Sequence, residues 1–549
     1  MTKIAQESIE NHYDVVVLGG GLAGLCLARQ LALSGADLKV LVLEKRGHPV
    51  PEAAHKVGES SVEAGAFYFA EVLDLAEHIH DHQLPKLGLR FFFNQPGHQH
   101  LADGLEMGLS ARLRTPSYQL DRGRLENHLA QDMTRLGVTF LAGCRVLDVV
   151  LEDSDQHRVA FQIGGVGHQV EATWVVDACG RAPILKKKLG LKEAVDHDVN
   201  AVWFRVEDLV RIDDWGTWPE VDGEPEVVSS RWLSTNHLMG EGYWVWLIPL
   251  ASGCTSVGIV ADAKIHPLDS YNSLPKAMAW LQQHEPSCAQ QLAPFADQAM
   301  DFLAVKHFTH GCRQVFSEQR WAITGEAGLF LDPFYSPGSD FIAISNTLIT
   351  DLILTEQSGR PIGARTVVYN QVYQDFFRNT LLTYQDQYPL FGNPRVMPVK
   401  IIWDYAVYWS FPALLVLQRQ TSNLKIYPRV RSAMTAMTAL NQSMQAFFRA
   451  WHDLQDEPIE GVFLDQAKIA LLRSLNADLS ETMDSDTFLQ AVQDNMAKLH
   501  CLSGEIVRTV GAHFPELMQF MPEGVGEPGP DRTLDEVFAA LGMLDLTSV

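Results

Sequence analysis

A glycine-rich stretch near the start of the chain has the spacing that binds a nucleotide pyrophosphate. Gly19, Gly21 and Gly24 form G-x-G-x-x-G directly after the apolar run Tyr13 to Leu18. In this motif the first glycine allows a tight turn, the second lets the backbone approach the phosphates, and the third lets a helix pack closely on a strand. The phosphates then meet the N–H groups and the dipole at the start of that helix. Glu44 ends the next apolar run, where its carboxylate can accept hydrogen bonds from ribose hydroxyls.

The elements that position this motif follow in the required order. Tyr13 to Leu18 predicts a buried parallel strand, Leu25 to Leu33 a helix, and Leu38 to Leu43 a second strand. Strand, glycine turn, helix and strand together predict a Rossmann-like domain of the α/β class. A second glycine fingerprint of similar quality, which a dedicated nicotinamide domain would carry, is not apparent.

Two tryptophans form a second pattern of chemical interest. Trp244 and Trp246 lie in the segment Tyr243 to Pro249, which contains W-x-W-x-I-P. On a strand the two indoles project to one face, and Val245 and Leu247 project to the other. Taken alone, such a pair is most simply part of a buried core. Its position among nucleotide-binding signals favours a functional interpretation.

Composition excludes several classes of function. The chain has 549 residues, 46% of them hydrophobic, and a net charge of −24. An acidic protein of this kind is not expected to bind nucleic acid or an anionic membrane, because phosphate binding relies on Lys and Arg. The longest candidate membrane segment, Ile401 to Leu417, contains Asp404 and Pro412 and is shorter than the roughly 20 residues that a span needs. We interpret it as a buried or pocket-lining helix.

The cysteines and the first residues indicate a cytoplasmic protein. Seven cysteines are dispersed without a C-x-x-C pair, which is typical of reduced intracellular thiols. The segment Met1 to His12 lacks the apolar core of a secretory signal.

The element pattern divides the chain into four segments. Residues 1–198 and 306–355 are expected to form the first part and the return segment of the nucleotide-binding domain, and 199–305 a β-rich substrate segment. Residues 356–549 have long helical patterns and are expected to cap the substrate site. The expected class is α/β (α+β overall), with a β-sheet substrate domain interleaved in the nucleotide-binding domain and an α-helical C-terminal region.

Over residues 13–350 the chain resembles flavin-dependent halogenases of the FAD-dependent oxidoreductase superfamily. W-x-W-x-I-P at 244–249 is the hallmark of that family, and Val57-Gly58-Glu59-Ser60 matches its turn beside the flavin. The resemblance implies FAD as cofactor, reduced by a separate flavin reductase, with a halide ion as co-substrate. In that family oxygen, halide and reduced flavin give hypohalous acid, which a lysine directs to an electron-rich carbon.

The resemblance also implies further cofactor residues. Arg122 matches an arginine near the flavin, with a surface salt bridge as the alternative interpretation. The segment after Val176 resembles a strand end of the superfamily, and Gly325-Glu326 with Asp332 resembles its second flavin motif, in which Glu326 replaces the usual aspartate. The cofactor contacts implied beyond the glycine motif and Glu44 are Glu59, Ser60, Arg122, Val146, Asp177, Gly325, Glu326 and Asp332.

Three residues carry the implied catalytic roles. Lys86 matches the lysine that directs the oxidant, and an ordinary solvated lysine is the alternative. Arg90 is a poorer candidate because a guanidinium stays protonated. The resemblance assigns Trp244 and Trp246 to a barrier between flavin and substrate.

Two departures from the family pattern lie in the segment Asp332 to Gly338. Tyr335 stands where tryptophan-type members carry a glutamate, which argues against free tryptophan and favours phenols, pyrroles or carrier-tethered acyl groups. Pro337 has no N–H where the halide meets successive backbone N–H groups, so Ser336 and Gly338 remain as halide donors. Pro337 is alternatively a residue that stiffens the loop, as in related monooxygenases.

Three other groups of residues, histidine, aromatic and basic, also have simpler explanations than a functional site. His78, His80 and His82 lack a completing ligand, so a solvated helix end is favoured and no metal site is predicted. Aromatic residues of the C-terminal region either pack between helices or line a pocket for an aromatic substrate. Basic residues there could dock an acidic carrier protein, although a solvated face is the simpler interpretation. The aromatic residues are Trp403, Tyr405, Tyr408, Trp409 and Phe411, and the basic residues are Arg419, Lys425, Arg429 and Arg431.

The prediction is therefore an FAD-dependent halogenase of secondary metabolism that acts on an electron-rich aromatic or carrier-tethered substrate. An FAD-dependent monooxygenase or oxidoreductase that uses no halide is the first alternative. A vestigial flavoprotein that serves as a docking partner is the second. The sequence leaves the substrate, the preferred halide and the oligomeric state open.

Overall fold

The computed structural model describes residues 9–53, 57–93, 98, 100–152, 156–454, 459, 461–524 and 533–544. Its strands and helices are numbered separately along the chain. The strands are β1 (His12–Leu18), β2 (Val40–Glu44), β3 (Leu84–Lys86), β4 (Leu89–Phe93), β5 (Leu105–Gly108), β6 (Ser117–Gln119), β7 (Thr139–Ala142), β8 (Cys144–Val150), β9 (His157–Ile163), β10 (Val166–Asp177), β11 (Lys192–Glu193), β12 (Val199–Val206), β13 (Thr235–Gly240), β14 (Tyr243–Pro249), β15 (Thr255–Asp262), β16 (Ala299–Val305), β17 (Gly311–Cys312), β18 (Trp321–Ile323) and β19 (Phe463–Asp465). The helices are α1 (Leu22–Leu33), α2 (Glu63–Phe67), α3 (Ala76–His82), α4 (Arg122–Arg135), α5 (Leu185–Lys188), α6 (Pro225–Val228), α7 (Leu274–His284), α8 (Pro286–Leu292), α9 (Gly338–Gln357), α10 (Gly363–Leu382), α11 (Val396–Ser410), α12 (Pro412–Leu417), α13 (Tyr427–His452), α14 (Ala470–Leu479), α15 (Ser485–Gly511) and α16 (Asp535–Ala540).

The first sheet carries the glycine turn. Strands β7, β2, β1 and β10 are parallel neighbours in that order, and β18 also pairs with β10 in parallel. The first half of β10 pairs antiparallel with β9, and β9 in turn pairs antiparallel with β8. Helix α1 packs on α4 and on α9, and α1 and α4 pack against this sheet, which explains why β1 is an almost continuous apolar run. The predicted α/β class is confirmed.

The second sheet positions the tryptophan strand. Its order is β16-β12-β15-β14-β13-β4-β5-β19, mostly antiparallel, with parallel pairing only for β13 with β4 and β5 with β19 among the described strands. It draws β4 and β5 from before residue 199 and β19 from after residue 356, so it extends beyond the segment 199–305. The region after 356 is helical apart from β19 among the described residues.

The two faces of β14 belong to different parts of the core. Trp244 and Trp246 pack with the side chains that surround the first sheet, whereas Val245 and Leu247 pack with α7 and α8 behind the second sheet. The period of two that the sequence predicts therefore holds along this strand.

The C-terminal helices pack around α11, which contacts α12, α13, α14 and α15. The apolar segment 401–417 is divided between α11 and α12, with the break at Phe411 and Pro412 at the start of α12. Among the described helices, none combines the length and the apolarity that crossing a bilayer requires.

Two smaller predictions concern the cysteines and the histidines of α3. The seven cysteines form no disulfide. His78 is not part of a solvated helix end, because it is buried and its ring stacks on His128 at 4.1 Å. Within the described ranges, no group of three or more His, Cys, Asp or Glu side chains could hold a metal ion.

Candidate functional site

The glycine turn lies between β1 and α1 and tolerates no side chain at two of its positions. Gly19 has φ +106°, and a Cβ there would lie 2.5 Å from the carbonyl oxygen of Ala178. A Cβ on Gly24 would lie 2.0 Å from the carbonyl oxygen of Gly19, so α1 approaches the turn as closely as backbone permits. A Cβ on Gly21, by contrast, would meet nothing within 4 Å, and this residue lines an open cavity.

Most of the predicted cofactor residues line this cavity at the glycine turn, which we call the first cavity. Its volume of about 710 Å³ lies within the range of ligand pockets, about 300–1,000 Å³. Predicted residues from eight separate segments of the chain line it. They are Gly19, Gly21, Glu44, Glu59, Ser60, Arg122, Val146, Trp244, Trp246, Gly325, Glu326, Asp332, Ser336 and Gly338.

Glu44 is fixed at the end of β2 by the backbone around it. One carboxylate oxygen accepts the N–H of Gly20 at 2.6 Å, and the other accepts the N–H of Arg46 at 2.8 Å. Each oxygen keeps a further lone pair, so the carboxylate can still accept a ribose hydroxyl.

The side chain of Arg122 has a buried donor that is available to a bound nucleotide. Its Nη1 donates to the carbonyl of Val57 at 2.5 Å, and its Nη2 donates to Glu126 at 2.8 Å. Its Nε is buried and meets no hydrogen-bond acceptor in the described chain. Because a buried N–H without an acceptor is costly, this donor fits an oxygen atom of a bound cofactor. FAD fits the residues that are present.

Asp177 is placed differently from the prediction. It is fully buried and is not among the described residues that line the cavity. Its carboxylate accepts the backbone N–H groups of Cys179, Ile184 and Leu185 at 3.0, 2.6 and 2.7 Å. Through these bonds the Asp177 side chain shapes the loop 178–182, which forms part of the cavity wall.

Two acidic residues of the cavity wall have basic partners. Glu59 is buried and pairs with Arg205 at 2.7 Å, and burial raises its pKa while Arg205 opposes the shift. Glu326 lies 3.5 Å from Arg181, and burial raises its pKa in the same way.

The tryptophan strand is tied to the second flavin loop by a chain of hydrogen bonds. The Trp244 indole donates to the hydroxyl of Tyr388 at 3.0 Å, and that hydroxyl donates to Asp332 at 2.6 Å. The imidazole of His197 contacts the same carboxylate oxygen at 2.8 Å. Trp246 donates separately to Ser256 at 3.1 Å. Both indoles are therefore held in one orientation.

Lys86 lies at the end of β3, buried, on the wall of a second cavity of about 100 Å³. Its Nζ donates to the Ser60 hydroxyl at 2.9 Å and to the Ser61 carbonyl at 2.6 Å. Ser60 lines the first cavity, and Pro337 lines both. Burial lowers the pKa of Lys86 to about 7, although Glu63 and Asp340 raise it in part. The lysine is not the solvated side chain of the alternative interpretation, and Arg90 is occupied by a buried ion pair with Glu106.

The second cavity has an aromatic wall and acidic groups. Tyr405, Tyr408 and Trp409 of α11 line it, so the aromatic stretch of the C-terminal region contributes to a pocket. Sequence reasoning missed two of its acids, Glu63 and Asp340, which come from α2 and α9. Glu63 is the first residue of α2, and a helix of five residues is too short to give a sequence pattern of its own.

The loop between the two cavities has an unusual backbone. Tyr335 and Ser336 have φ of +66° and +60°, and the Tyr335 hydroxyl donates to Asp404 at 2.9 Å. The N–H of Ser336 donates to the carbonyl of Pro333 at 2.9 Å, so this donor is occupied within the loop. Pro337 is the N-cap of α9, and Gly338 begins the helix with an N–H that has no acceptor within it.

Comparison with known proteins is consistent with this geometry. Residues 12–234 match the model of the FAD binding domain. The chain is 27% identical over 440 residues to the flavin-dependent halogenase chlA of Dictyostelium discoideum, covering 73% of this chain and 70% of that protein. It is 26% identical over 414 residues to the 1H-pyrrole-2-carbonyl-[peptidyl-carrier protein] chlorinase of Pseudomonas fluorescens, covering 72% and 87%.

Solved structures share the fold. The crystal structure of halogenase PltM aligns with a TM-score of 0.64 at 18% identity, covering 91% of this chain and 96% of PltM. PltM has also been crystallised with phloroglucinol and FAD.

Proposed function

This chain belongs to the flavin-dependent halogenase family and is an FAD-dependent enzyme, and from that premise we propose its reaction. It uses oxygen, a halide ion and reduced FAD to halogenate an electron-rich aromatic or carrier-tethered substrate in secondary metabolism. When bound, reduced FAD supplies the electrons with which oxygen and halide become hypohalous acid.

The first cavity is assigned to FAD. Gly19 and Gly21 approach the pyrophosphate at the start of α1, with Gly24 allowing the close packing of that helix. Glu44 accepts the ribose hydroxyls, and the Arg122 Nε donates to the cofactor. The remaining assigned contacts are Glu59, Ser60, Val146, Gly325, Glu326 and Asp332.

The observation that carries the proposal is the hydrogen bond between Lys86 and Ser60. It joins a residue of the second cavity to a residue of the first, with Pro337 as the shared wall. Lys86 therefore receives hypohalous acid from the flavin side and presents it to a substrate in the second cavity. Its ammonium donates a hydrogen bond to the oxidant, or its neutral amine forms a haloamine.

Trp244 and Trp246 separate flavin from substrate. Their indoles are fixed by Tyr388 and Ser256, so the wall that they form excludes a substrate from the flavin ring while small oxidant molecules pass. This is the role we assign to W-x-W-x-I-P.

The halide is assigned to the start of α9. Gly338 and its neighbour Ser339 line the first cavity, and the N-terminus of a 20-residue helix favours an anion. The Ser336 side chain lines the same place. Pro337 removes one N–H from the N-cap but leaves these donors.

Partners and organisation follow from the same assignment. A separate flavin reductase reduces the FAD, since the sequence has no second nucleotide fingerprint. Segments 1–198 and 306–355 form the flavin-binding part, 199–305 the central part of the substrate sheet, and 356–549 the cap over the second cavity. A pyrrole carrier substrate, as in the chlorinase relative, and a free phenol are both compatible with the proposal. The cytoplasmic location stays a prediction.

The test follows oxygen consumption by the reduced, FAD-loaded protein, with and without bromide or chloride. A reactive phenol in solution traps any hypohalous acid. We expect the trap to be halogenated only when halide is present. Peroxide or a hydroxylated product that is independent of halide would contradict the proposal and support a monooxygenase.

A further inference from the structure

Glu63 is a buried acid that the proposed reaction does not use. It is the first residue of α2, only 7% of its surface is exposed, and it lines the second cavity together with Lys86. Burial raises its pKa, and hydrogen bonding by the Trp409 indole and by its own backbone N–H, together with the nearby Lys86, lowers it in part.

The start of α2 is held by groups other than Glu63. The Asp340 carboxylate accepts the N–H of Gly65 at 2.8 Å. The Tyr408 hydroxyl accepts the N–H of Ala64 at 3.2 Å and donates to Asp340 at 2.7 Å. Asp340 and Tyr408 are therefore positioning residues, and the Glu63 carboxylate is not required to cap its own helix.

Glu63 and Lys86 share the cavity without contacting each other. In the part of the chain that the structure describes, the two form no ion pair, and the Lys86 Nζ donates to Ser60 and Ser61 instead. A buried acid and a buried lysine on one cavity that do not form an ion pair with each other are costly unless a ligand lies between them.

The walls of the cavity indicate which ligand that is. Tyr335, Tyr405 and Trp409 provide aromatic and apolar surface, which suits a flat aromatic ring. The acids Glu63 and Asp340 repel a carboxylate on such a ring and attract a hydrogen-bond donor. The tryptophan-type glutamate is absent here, since Tyr335 stands in its place and donates to Asp404.

We propose that Glu63 is a catalytic carboxylate that accepts the proton of a phenolic hydroxyl on an aromatic substrate bound between Glu63 and Lys86. This inference rests on the proposed halogenase function. A carboxyl group from α2 thus acts where tryptophan-type members use one from the loop before α9.

The proposed step balances in atoms and electrons. Glu63 takes the hydroxyl proton as the ring carbon bonds to the halogen of hypohalous acid, and the halogen–oxygen bond breaks to release hydroxide. The Lys86 ammonium gives that hydroxide a proton to form water. The neutral amine then takes the proton from the halogenated carbon, and Glu63 returns its proton to the oxygen, which regenerates the phenol and both residues.

The test uses the FAD-loaded protein and two probes, 1,3-dihydroxybenzene and its dimethyl ether. Binding of each probe is measured by calorimetry for the native protein, Glu63→Gln, Glu63→Met and the exposed control Glu71→Gln. We expect the native protein to bind the phenol about tenfold tighter than the ether, since a hydrogen bond to a charged acceptor is lost in the ether. We expect Glu63→Gln to keep an acceptor and most of the preference for the phenol over the ether, and Glu63→Met to abolish that preference.

The rate of substrate halogenation distinguishes a Glu63 that accepts a proton from one that only binds the substrate. With excess β-diketone in solution to consume released oxidant, we expect Glu63→Gln to halogenate bound 1,3-dihydroxybenzene about 100-fold more slowly, because an amide accepts no proton. Halide-dependent oxidant, trapped by a β-diketone in solution, is unchanged in each variant. Native turnover in Glu63→Gln, or equal binding of phenol and ether by the native protein, overturns the role of Glu63. If the native protein produces no oxidant, the proposed function fails, while the binding comparison still tests Glu63.

Discussion

Lys86 is a lysine in a place where an ammonium is unfavourable. Burial lowers its pKa to about 7, so folding gains little from its charge. We therefore expect Lys86→Ala and the better-filling Lys86→Met to keep FAD and to remain folded. We expect both to lose halogenation of substrate by at least about 100-fold while still producing trappable oxidant.

The matched control is Lys186→Met, which removes another buried lysine, one that donates to the Gly328 carbonyl at 2.6 Å. Substrate halogenation and oxidant release are measured on the same samples. Retained halogenation in Lys86→Met would contradict the role that we give this residue.

Glu285 is a second buried residue whose charge opposes folding. Burial raises its pKa to about 8, and the Tyr243 hydroxyl donates to it at 2.9 Å. An unfolded glutamate ionises near pH 4.5, so the folded state binds the proton more tightly. This contribution to stability is complete below about pH 4.5 and is lost as the pH rises to about 8.

We expect Glu285→Gln to be more stable than the native protein at pH 9 by a few kcal/mol, and to have little advantage at pH 5. Thermal midpoints at both pH values measure the difference. The neighbouring His284 and Cys288 are present in both proteins, so their contributions to the difference largely cancel. Parallel stability curves for the two proteins would show that Glu285 is not the group concerned.

At the scale of elements, β14 is held by a residue from the C-terminal region. The Tyr388 hydroxyl joins Trp244 to Asp332, so Tyr388→Phe leaves a buried indole N–H without its acceptor. We expect a loss of about 1–3 kcal/mol in stability and a changed circular dichroism of the bound flavin.

Tyr427→Phe provides the comparison for this variant. It also removes a buried hydroxyl, one that donates to the Thr421 carbonyl, but it lies outside both cavities. We expect it to lose stability and to leave the flavin spectrum unchanged. An unchanged spectrum in Tyr388→Phe as well would mean that the chain of hydrogen bonds does not reach the flavin.

Elements with local signals could be predicted from the sequence. The glycine turn, β1, α1 and the alternation along β14 follow from short-range patterns of glycine and apolar residues. The strand β19 could not be predicted, because three residues have no pattern of their own and depend on pairing with β5.

The residues that line the second cavity could be predicted from the sequence only in part. Lys86 is found by its motif, but Glu63, Asp340 and Tyr408 meet it only because α2, α9 and α11 converge in the fold. Asp177 shows the reverse case, since its motif marks a flavin-binding loop although its side chain serves the loop and not the cavity.

At the scale of the whole molecule, the FAD cavity couples distant parts of the chain. Its wall includes α1, the end of β2, the start of α4, the strand β14 and the loop before α9. A ligand that binds only when these parts are assembled stabilises the folded state, by about 2.7 kcal/mol at a free concentration 100 times its Kd.

We expect FAD to raise the thermal midpoint in proportion to the logarithm of its concentration, and ADP to raise it less, since ADP contacts only the glycine turn and its neighbours. Arg122→Gln should reduce the shift by FAD more than the shift by ADP, because the buried Arg122 Nε is assigned to the flavin end of the cofactor. Scanning fluorimetry of the apoprotein with each ligand measures both shifts. Equal reductions for the two ligands would place Arg122 near the adenosine half instead.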